Sequence, residues 1–267
     1  MDKKTKQMSS RALAGLKVLV TRPSPQQRAL VNAIEMAAGK AIHLPLIEIK
    51  PLVDAGTIKT VQAKIQVLDN YHILIFISTN AARYGAEWID RYWPEFPVGI
   101  AVIAIGPSTA AAVTTALNCE VISAAAGMTS EDLLKLPVLI RVDKKRVGIF
   151  RGRGGRELLA ETLLLRGAKV DYFEVYERCT IPYEAEEFYQ QLQSNSVNVI
   201  TLTSTESLNR LLELLGDNKQ EMSLLPLLVP SARIAEQARQ AGFKRVVNTQ
   251  GADEVAFMAA LRSLIKQ

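Results

Sequence analysis

A basic, glycine-rich turn and a tyrosine further along the chain are the residues best suited to do chemistry. Arg151–Arg156 reads RGRGGR, three arginines and three glycines in six positions. Glycine lets a backbone approach a ligand closely, and a helix starting there points free N–H groups and a positive dipole end at it. The next predicted strand ends at Tyr176, whose hydroxyl could donate a proton. We therefore expect an anion site with an acid beside it.

Five further joints between a predicted strand and a helix carry small or basic residues. Taken singly, Ser, Thr or Asn at such a joint is typical of a helix cap. Taken together, the joints would present hydroxyls, backbone N–H groups and arginines to one ligand that bears many carboxylates or phosphates. The candidate binding residues are Thr21, Arg22, Ser78, Thr79, Asn80, Gly106, Ser108, Thr109, Arg151, Gly152, Arg153, Ser204, Thr205 and Ser231.

The elements that position these joints alternate strand and helix along the chain. This alternation predicts an α/β fold with parallel sheets flanked by helices, in which ligands bind beyond the carboxyl ends of the strands. Residues 41–49 read as one strand, and Gly39 is expected to end the helix before it.

A repeat is visible in the order of the joints. Thr21 corresponds to Arg151, Ser78 to Ser204 and Pro107 to Pro230, with offsets that drift from 130 to 123. The repeat predicts two similar lobes with the ligand cleft between them.

Composition excludes several classes of function. The net charge of +5 is local, since residues 1–28 carry seven Lys or Arg and one Asp, so nucleic-acid binding is not expected. No apolar run approaches the roughly 20 residues of a membrane span. Two distant cysteines and two histidines without ligand spacing argue against metal chemistry, and indicate a reduced, cytoplasmic protein. Residues 1–12 are expected to be a disordered tail.

The residues considered so far leave two other classes of function open. The turn lacks both the G-x-G-x-x-G spacing and a G-K-[ST] motif, which weakens nucleotide binding. A two-lobed nucleotide-sugar or phosphosugar enzyme is one alternative, and a non-catalytic binding protein for small anions is the other.

Several short sequence segments follow one another along the chain in a specific order and spacing, although none of them is specific by itself. They are LVTRP (19–23), IFISTNAARYG (75–85), AIGPSTAAAV (104–113), TSEDLL (129–134), RGRGGRELLAETLLLRGAKV (151–170), VYER (175–178), LTSTESLNRLL (202–212) and VPSARIAEQARQAGF (229–243). On these segments the chain resembles the uroporphyrinogen-III synthase family over nearly its whole length.

The resemblance implies a fold and an activity. It implies two α/β lobes joined by a two-stranded linker, here residues 13–47 with 181–267 and residues 48–180. It implies a lyase of haem and other tetrapyrrole biosynthesis that cyclises hydroxymethylbilane, which carries eight carboxylates, to uroporphyrinogen III. Water is lost and ring D is inverted through a spiro intermediate, without a cofactor or metal.

The resemblance also implies roles for individual residues. Tyr176 matches the tyrosine proposed as proton donor, and a tyrosine hydroxyl is neutral and able to donate at physiological pH. Ser78, Thr109, Ser204 and Ser231 match hydroxyl positions of the cleft. Arg22, Arg151 and Arg153 are our choices for substrate carboxylates. A monomer is expected, with a transient contact to hydroxymethylbilane synthase and no nucleic-acid or membrane partner.

Overall fold

The structure, a computed structural model, describes residues 12–123, 129–155 and 157–265. The predicted tail, except for its last residue, and Arg156 of the basic turn lie outside the described residues. The chain divides into two compact units, Met1–Glu48 with Cys179–Gln267 (unit 1) and Ile49–Arg178 (unit 2). Among the helices of the described ranges, none is long and apolar enough to cross a membrane.

Unit 1 is built around one five-stranded sheet of order β11-β10-β9-β1-β2. All its adjacent strands pair in parallel. Its strands are β1 (Lys17–Val20), β2 (Lys40–His43), β9 (Val199–Thr201), β10 (Pro226–Val229) and β11 (Arg245–Asn248). Its helices are α1 (Arg28–Met36), α8 (Ala185–Ser194), α9 (Thr205–Leu215), α10 (Lys219–Met222), α11 (Ala232–Gln240) and α12 (Glu254–Ile265), with a 3-10 turn at Gly216–Asn218. Helices α1 and α12 bury Leu30, Ile34 and Phe257 against β1, β9 and β10.

Unit 2 has a six-stranded sheet of order β3-β8-β7-β4-β5-β6. Its strands are β3 (Ile47–Pro51), β4 (Ile73–Phe76), β5 (Ala101–Ala104), β6 (Ile122–Ser123), β7 (Arg146–Gly152) and β8 (Lys169–Thr180). Its helices are α2 (Ala55–Ile65), α3 (Thr79–Tyr92), α4 (Pro107–Leu117), α5 (Ser130–Leu133), α6 (Pro137–Ile140) and α7 (Leu158–Leu165), with a 3-10 turn at Leu68–Asn70. The chain passes between the units in β3 and β8, which are neighbours in this sheet.

The two sheets have the same strand order. If β1, β2, β9, β10 and β11 are matched with β7, β8, β4, β5 and β6, the order in unit 1 reproduces that in unit 2, where β3 is added at one edge. Pairing in unit 2 is parallel from β8 through to β6. The predicted fold class of two similar α/β lobes with parallel sheets is therefore confirmed.

The core of unit 2 lies on both faces of its sheet. One face carries a ladder of aromatic rings, in which Phe150 of β7 stacks on Phe76 of β4 and on Phe173 of β8 at centroid distances of 4.5 and 4.4 Å. Helices α2, α3 and α4 cover this face, and α5, α6 and α7 cover the other. Gly85 lets α3 approach the ladder, since a Cβ there would lie 2.6 Å from Phe150. The rings thus pack β4, β7 and β8 together beneath α3.

Three local predictions were wrong. The residue that ends α1 in the left-handed region is Ala38 (φ 62°), and Gly39 instead packs its backbone on Ile34. Residues 41–49 form two strands, β2 and β3, in different sheets. The strand that contains Tyr176 continues to Thr180, because it also pairs with β3.

Candidate active site

Tyr176 owes its orientation to an irregularity in β8. Arg151 of β7 pairs with Glu174, but the next residue, Gly152, pairs with Tyr176, so that Val175 is an extra residue in β8. An extra residue of this kind breaks the alternation of side chains and redirects those that follow. Phe173, Val175 and Tyr176 consequently all belong to the core cluster beneath α3. Without the bulge, Tyr176 would face the opposite side of the sheet.

Gly152 leaves the space that the ring of Tyr176 occupies. A Cβ at residue 152 would lie 2.6 Å from Cε2 and 2.7 Å from Cζ of Tyr176. The backbone of Gly152 is not in the left-handed region, so the requirement for glycine comes from the close approach of the ring. The carbonyl of Tyr176 accepts the N–H of Arg153 at 2.8 Å, which fixes the turn to the strand beside it.

Ser78 holds the Tyr176 hydroxyl from the start of α3. Ser78 is the N-cap residue of this helix, and its Oγ accepts the backbone N–H of Ala81 at 2.9 Å. The same Oγ lies 3.0 Å from the hydroxyl oxygen of Tyr176. The ring of Tyr84, one and a half turns further along α3, stacks on Tyr176 with a centroid distance of 5.9 Å. The tyrosine is thus fixed at its ring and at its oxygen.

A cavity of about 440 Å³ opens beside this pair at the carboxyl ends of the unit 2 strands. Of the predicted residues, Ser78, Arg151, Gly152 and Tyr176 line it together. The remaining lining residues were not among the candidates: Ile77, Ile105, Thr129, Ser130, Gly154, Gly155 and Arg178. One of them has a sequence signal, because Arg178 follows Tyr176 by two positions in a strand and therefore shares its face.

The guanidinium of Arg151 holds the glycine-rich turn together. It is buried, donates to the carbonyls of Gly152 and Gly154, and lies 4.5 Å from the ring centroid of Tyr172. It also pairs with Glu157 at 3.2 Å. Gly154 and Gly155 both have positive φ, at 72° and 101°, so the turn that Arg151 holds requires glycine. The charge of Arg151 is largely satisfied within the protein.

Glu157 stands where we expected an open helix start. It is the residue before α7, and its carboxylate bonds Arg151 and the hydroxyl of Tyr172. The Tyr172 hydroxyl, aided by Arg151, lowers the pKa of Glu157. Burial, followed by the bond to Glu157, raises the pKa of Tyr172 to about 12. The carboxylate makes no capping hydrogen bond to the N–H groups of α7, so it competes with an external anion for Arg151 and not for the helix start. That this helix start binds an anion stays a prediction.

Arg153 points away from the cavity. Its guanidinium bonds Asp54 and Thr57 at the start of α2 and lies 3.6 Å from Glu177. The Thr57 N–H and Arg153 lower the pKa of Asp54 to about 2. Two carboxylates thus neutralise Arg153, which is not among the residues that line the cavity.

The other unit 2 candidates lie at the starts of two helices. Thr79 and Asn80 occupy the first turn of α3, Gly106 is the N-cap residue of α4, and Ser108 and Thr109 follow in its first turn. Ser108 is exposed, whereas Thr109 is buried. These residues sit at the carboxyl ends of β4 and β5, the same sheet edge as Tyr176.

Four unit 1 candidates lie at equivalent strand ends. Ser204 and Ser231 are the N-cap residues of α9 and α11, and their hydroxyl oxygens accept the backbone N–H groups of Ser207 and Ile234. They therefore make the helix caps that are typical of serine at such a joint. Thr205 bonds Gln237 at 2.9 Å and accepts from Arg233, an exposed cation that we had not selected. Arg22 donates to the carbonyl of Ala252. Burial lowers the pKa of Arg22, and the charge of Asp253 opposes that shift.

Thr21 does not belong with these residues. Its side chain is wholly buried, and its hydroxyl donates to the carbonyl of Thr201 at 2.8 Å. Thr201 in turn donates to the carbonyl of Leu19, so the two threonines crosslink adjacent strands. The expectation that Thr21 contacts a ligand is corrected for this reason.

Comparison with known proteins identifies the family. The family model described as "Uroporphyrinogen-III synthase HemD" matches residues 28–256. The uroporphyrinogen-III synthase of Escherichia coli K12 is 34% identical over 252 residues, which are 92% of this chain and 100% of that protein. The chain belongs to the uroporphyrinogen-III synthase family.

Solved uroporphyrinogen-III synthase structures have the same fold. A mutant of the Thermus thermophilus protein aligns with a TM-score of 0.64 at 15% identity, over 95% of this chain and 100% of that one. The Helicobacter pylori protein aligns with a TM-score of 0.56 at 17% identity, over 93% and 99%. The resemblance on which the residue roles were assigned is thus confirmed at the level of family and fold, and the roles themselves stay predictions.

Proposed function

We propose that this chain cyclises hydroxymethylbilane to uroporphyrinogen III, as a lyase of haem biosynthesis. The observation that carries this proposal is the family match, which extends across both units and, in the Escherichia coli relative, over the whole of that protein. In the reaction the hydroxyl group of the hydroxymethyl substituent leaves as water, and the substituted carbon of ring D attacks the methylene carbon of the resulting azafulvene to give the spiro intermediate. The original bond between ring D and its neighbouring bridge carbon then breaks, and the free α-carbon of ring D attacks that bridge carbon and loses a proton. No cofactor is part of the proposal.

Tyr176 is the proposed proton donor for the leaving hydroxyl. Loss of that oxygen as water needs a proton, and a positioned acid typically contributes about 10²- to 10⁴-fold to such a step. The Ser78 oxygen already accepts the N–H of Ala81, so its own proton is available to point at Tyr176. In that arrangement the proton of Tyr176 is left for the substrate. The Ser78 hydrogen bond then stabilises the oxygen from which the proton departs.

The other candidates are proposed to hold the substrate. Its eight carboxylates would meet backbone N–H groups and hydroxyls at the helix starts, which favour negative charge. Ser78, Thr79, Asn80, Gly106, Ser108, Thr109 and the Gly152 backbone are proposed in unit 2, and Arg22, Ser204, Thr205 and Ser231 in unit 1. Much of the rate acceleration would come from holding the two ends of the bilane together. We therefore expect no single side chain to be indispensable.

The decisive experiment supplies hydroxymethylbilane to the purified chain and separates the isomers after oxidation to porphyrins. We expect uroporphyrin III, and formation of only the uncatalysed type I isomer would refute the proposal. Thermal stabilisation by nucleotides but not by uroporphyrins would favour a phosphosugar enzyme. Porphyrin binding without turnover would favour a binding protein.

The role of Tyr176 is tested separately by Tyr176→Phe. We expect kcat to fall about 10²-fold while KM changes little, because the phenylalanine ring keeps the packing on Tyr84 and loses only the proton. An unchanged kcat would remove Tyr176 from the mechanism.

Oligomeric state, location and partner proteins are further parts of the proposal. We propose a cytoplasmic monomer that receives its substrate during transient contact with hydroxymethylbilane synthase. Cys119 and Cys179 are not joined by a disulfide, which agrees with a reducing compartment. Elution as a dimer in size-exclusion chromatography would contradict the monomer. A cyclisation rate that does not change when hydroxymethylbilane synthase is added would contradict the transient contact.

A further inference from the structure

Three described arginines lie in the glycine-rich turn or close to Tyr176 in β8, and they differ in the groups that their charges already contact. Arg151 is buried and binds two carbonyls and Glu157. Arg153 is bound to Asp54 and Glu177 and does not line the cavity. Arg178 is exposed, lines the cavity, and forms no ion pair with any of the described residues. Among these three described arginines, the one whose charge is left for a ligand is thus Arg178, which sequence analysis did not select.

We propose that Arg178 binds a carboxylate of the substrate and so positions the reacting end of the bilane at Tyr176. This inference rests on the proposed function, and it replaces Arg151 and Arg153 as direct carboxylate contacts in unit 2. A side chain of β8 would thus bind the carboxylate, and the glycine-rich turn would form part of the cavity wall.

The geometry favours Arg178 on two grounds. First, it lies two residues beyond Tyr176 on the same strand, so both side chains project from one face of β8. Second, its guanidinium lies 5.9 Å from the centroid of the Tyr176 ring, close enough for both side chains to contact the same part of a ligand. A guanidinium that is not already paired presents a planar fork that matches a carboxylate.

Arg178 also differs from the neighbouring polar groups of the cavity. Ser78 bonds the Tyr176 hydroxyl and Ala81, and Thr129 is engaged with Asp132 in a capping box. Neither carries a charge, so neither can neutralise a carboxylate brought into the cavity. Arg178 is the lining residue whose charge matches the substrate and is not already paired with an acid among the described residues.

The test compares Arg178→Gln, Arg178→Lys and a matched control, Arg91→Gln. Arg91 is also an exposed arginine of unit 2, and it lies 5.1 Å from the ring of Trp88, away from the cavity lining. Two measurements are made on each variant: steady-state kinetics with hydroxymethylbilane, which give KM and kcat, and a fluorescence titration with uroporphyrin III, which gives Kd. The second measurement needs no turnover, so it tests Arg178 even if the wild type fails to form the type III isomer.

We expect Arg178→Gln to raise both KM and the Kd about tenfold, as loss of one charge-assisted contact does at a partly exposed site. Its kcat should stay within about threefold, because the acid is untouched. Arg178→Lys should recover part of the loss, and Arg91→Gln should behave as the wild type. Equal KM and Kd in Arg178→Gln and wild type would overturn the proposal. So would an equal loss in Arg91→Gln, or a loss in Arg153→Gln with none in Arg178→Gln.

Discussion

Replacement of Gly152 by alanine is the sharpest test of how the site is built. The added Cβ would lie 2.6 Å from Cε2 of Tyr176, whereas ordinary contacts begin at 3.4 Å, so the ring must retreat by about 0.8 Å. The hydroxyl of Tyr176 would then move from 3.0 Å to as far as about 3.8 Å from Ser78 Oγ. A separation above 3.6 Å is no longer a hydrogen bond.

Two effects of Gly152→Ala follow, and they have different magnitudes. Insertion of a methyl group into packed surroundings costs about 1–3 kcal/mol of unfolding free energy. Displacement of a catalytic group by about 1 Å costs about 10²-fold in rate, equivalent to about 2.7 kcal/mol of activation free energy. We therefore expect a modestly destabilised, folded protein whose kcat for uroporphyrinogen III formation is about 10²-fold lower and whose KM is nearly unchanged.

Gly148→Ala provides a matched control on the same strand. Its Cβ would lie 2.6 Å from Phe173 and 2.8 Å from Leu74, an equally tight overlap that does not involve Tyr176. Both variants should unfold at similarly reduced denaturant concentrations, but Gly148→Ala should keep most of the wild-type kcat. The reasoning is refuted if Gly152→Ala retains wild-type kcat, or if both variants lose kcat equally.

Three further predictions concern the surroundings of Tyr176 and of the turn. Ser78→Ala should lower kcat about tenfold, which is less than the effect of Tyr176→Phe. The variant keeps the acid and loses only its hydrogen-bond partner and one helix cap. An effect as large as that of Tyr176→Phe in the same assay would make Ser78 the donor. Arg151→Lys should leave the aromatic core intact but speed up amide hydrogen exchange in the backbone after Gly152. Lysine lacks the forked guanidinium that reaches both the Gly154 carbonyl and Glu157. Unchanged exchange rates would contradict the role of Arg151 in holding the turn. The Thr57 N–H and Arg153 lower the pKa of Asp54 to about 2, so the stabilisation from its charge is fully present above about pH 4 and is lost as the pH falls through 2. Asp54→Ala should thus lower the urea midpoint much more at pH 7 than at pH 2, and an equal loss at both values would exclude the charge as the cause.

The sequence predicts the architecture because its signals are local. Apolar strands such as Ile73–Phe76, followed by a cap such as Ser78 and an amphipathic helix, identify each unit without reference to its neighbours. The recurrence of these joints likewise predicts two similar lobes. The shared strand order of the two sheets agrees with that repetition.

The chemistry of the turn was harder to predict because it depends on contacts distant in sequence. Arg151 is buried through Tyr172 and Glu157, and Arg153 is neutralised by Asp54, nearly a hundred residues earlier. Nothing in the local run RGRGGR distinguishes an arginine that builds the turn from one that binds a ligand. Thr21 was misassigned for the same reason, since its burial depends on the pairing of β1 with β9.

The bulge at Val175 makes the face of Tyr176 depend on strand pairing and not on sequence spacing alone. Phe173 and Tyr176 are three positions apart, a spacing that puts two side chains of a regular strand on opposite faces, so they share a face because Val175 is an extra residue. Regular pairing with every residue kept would turn Tyr176 and Arg178 to the other side, whereas deletion of the extra residue would leave both on the face of Phe173. In comparisons among relatives, a gap of one residue between the aromatic ladder and the tyrosine is therefore compatible with the same orientation of the tyrosine, provided that the strand has no bulge.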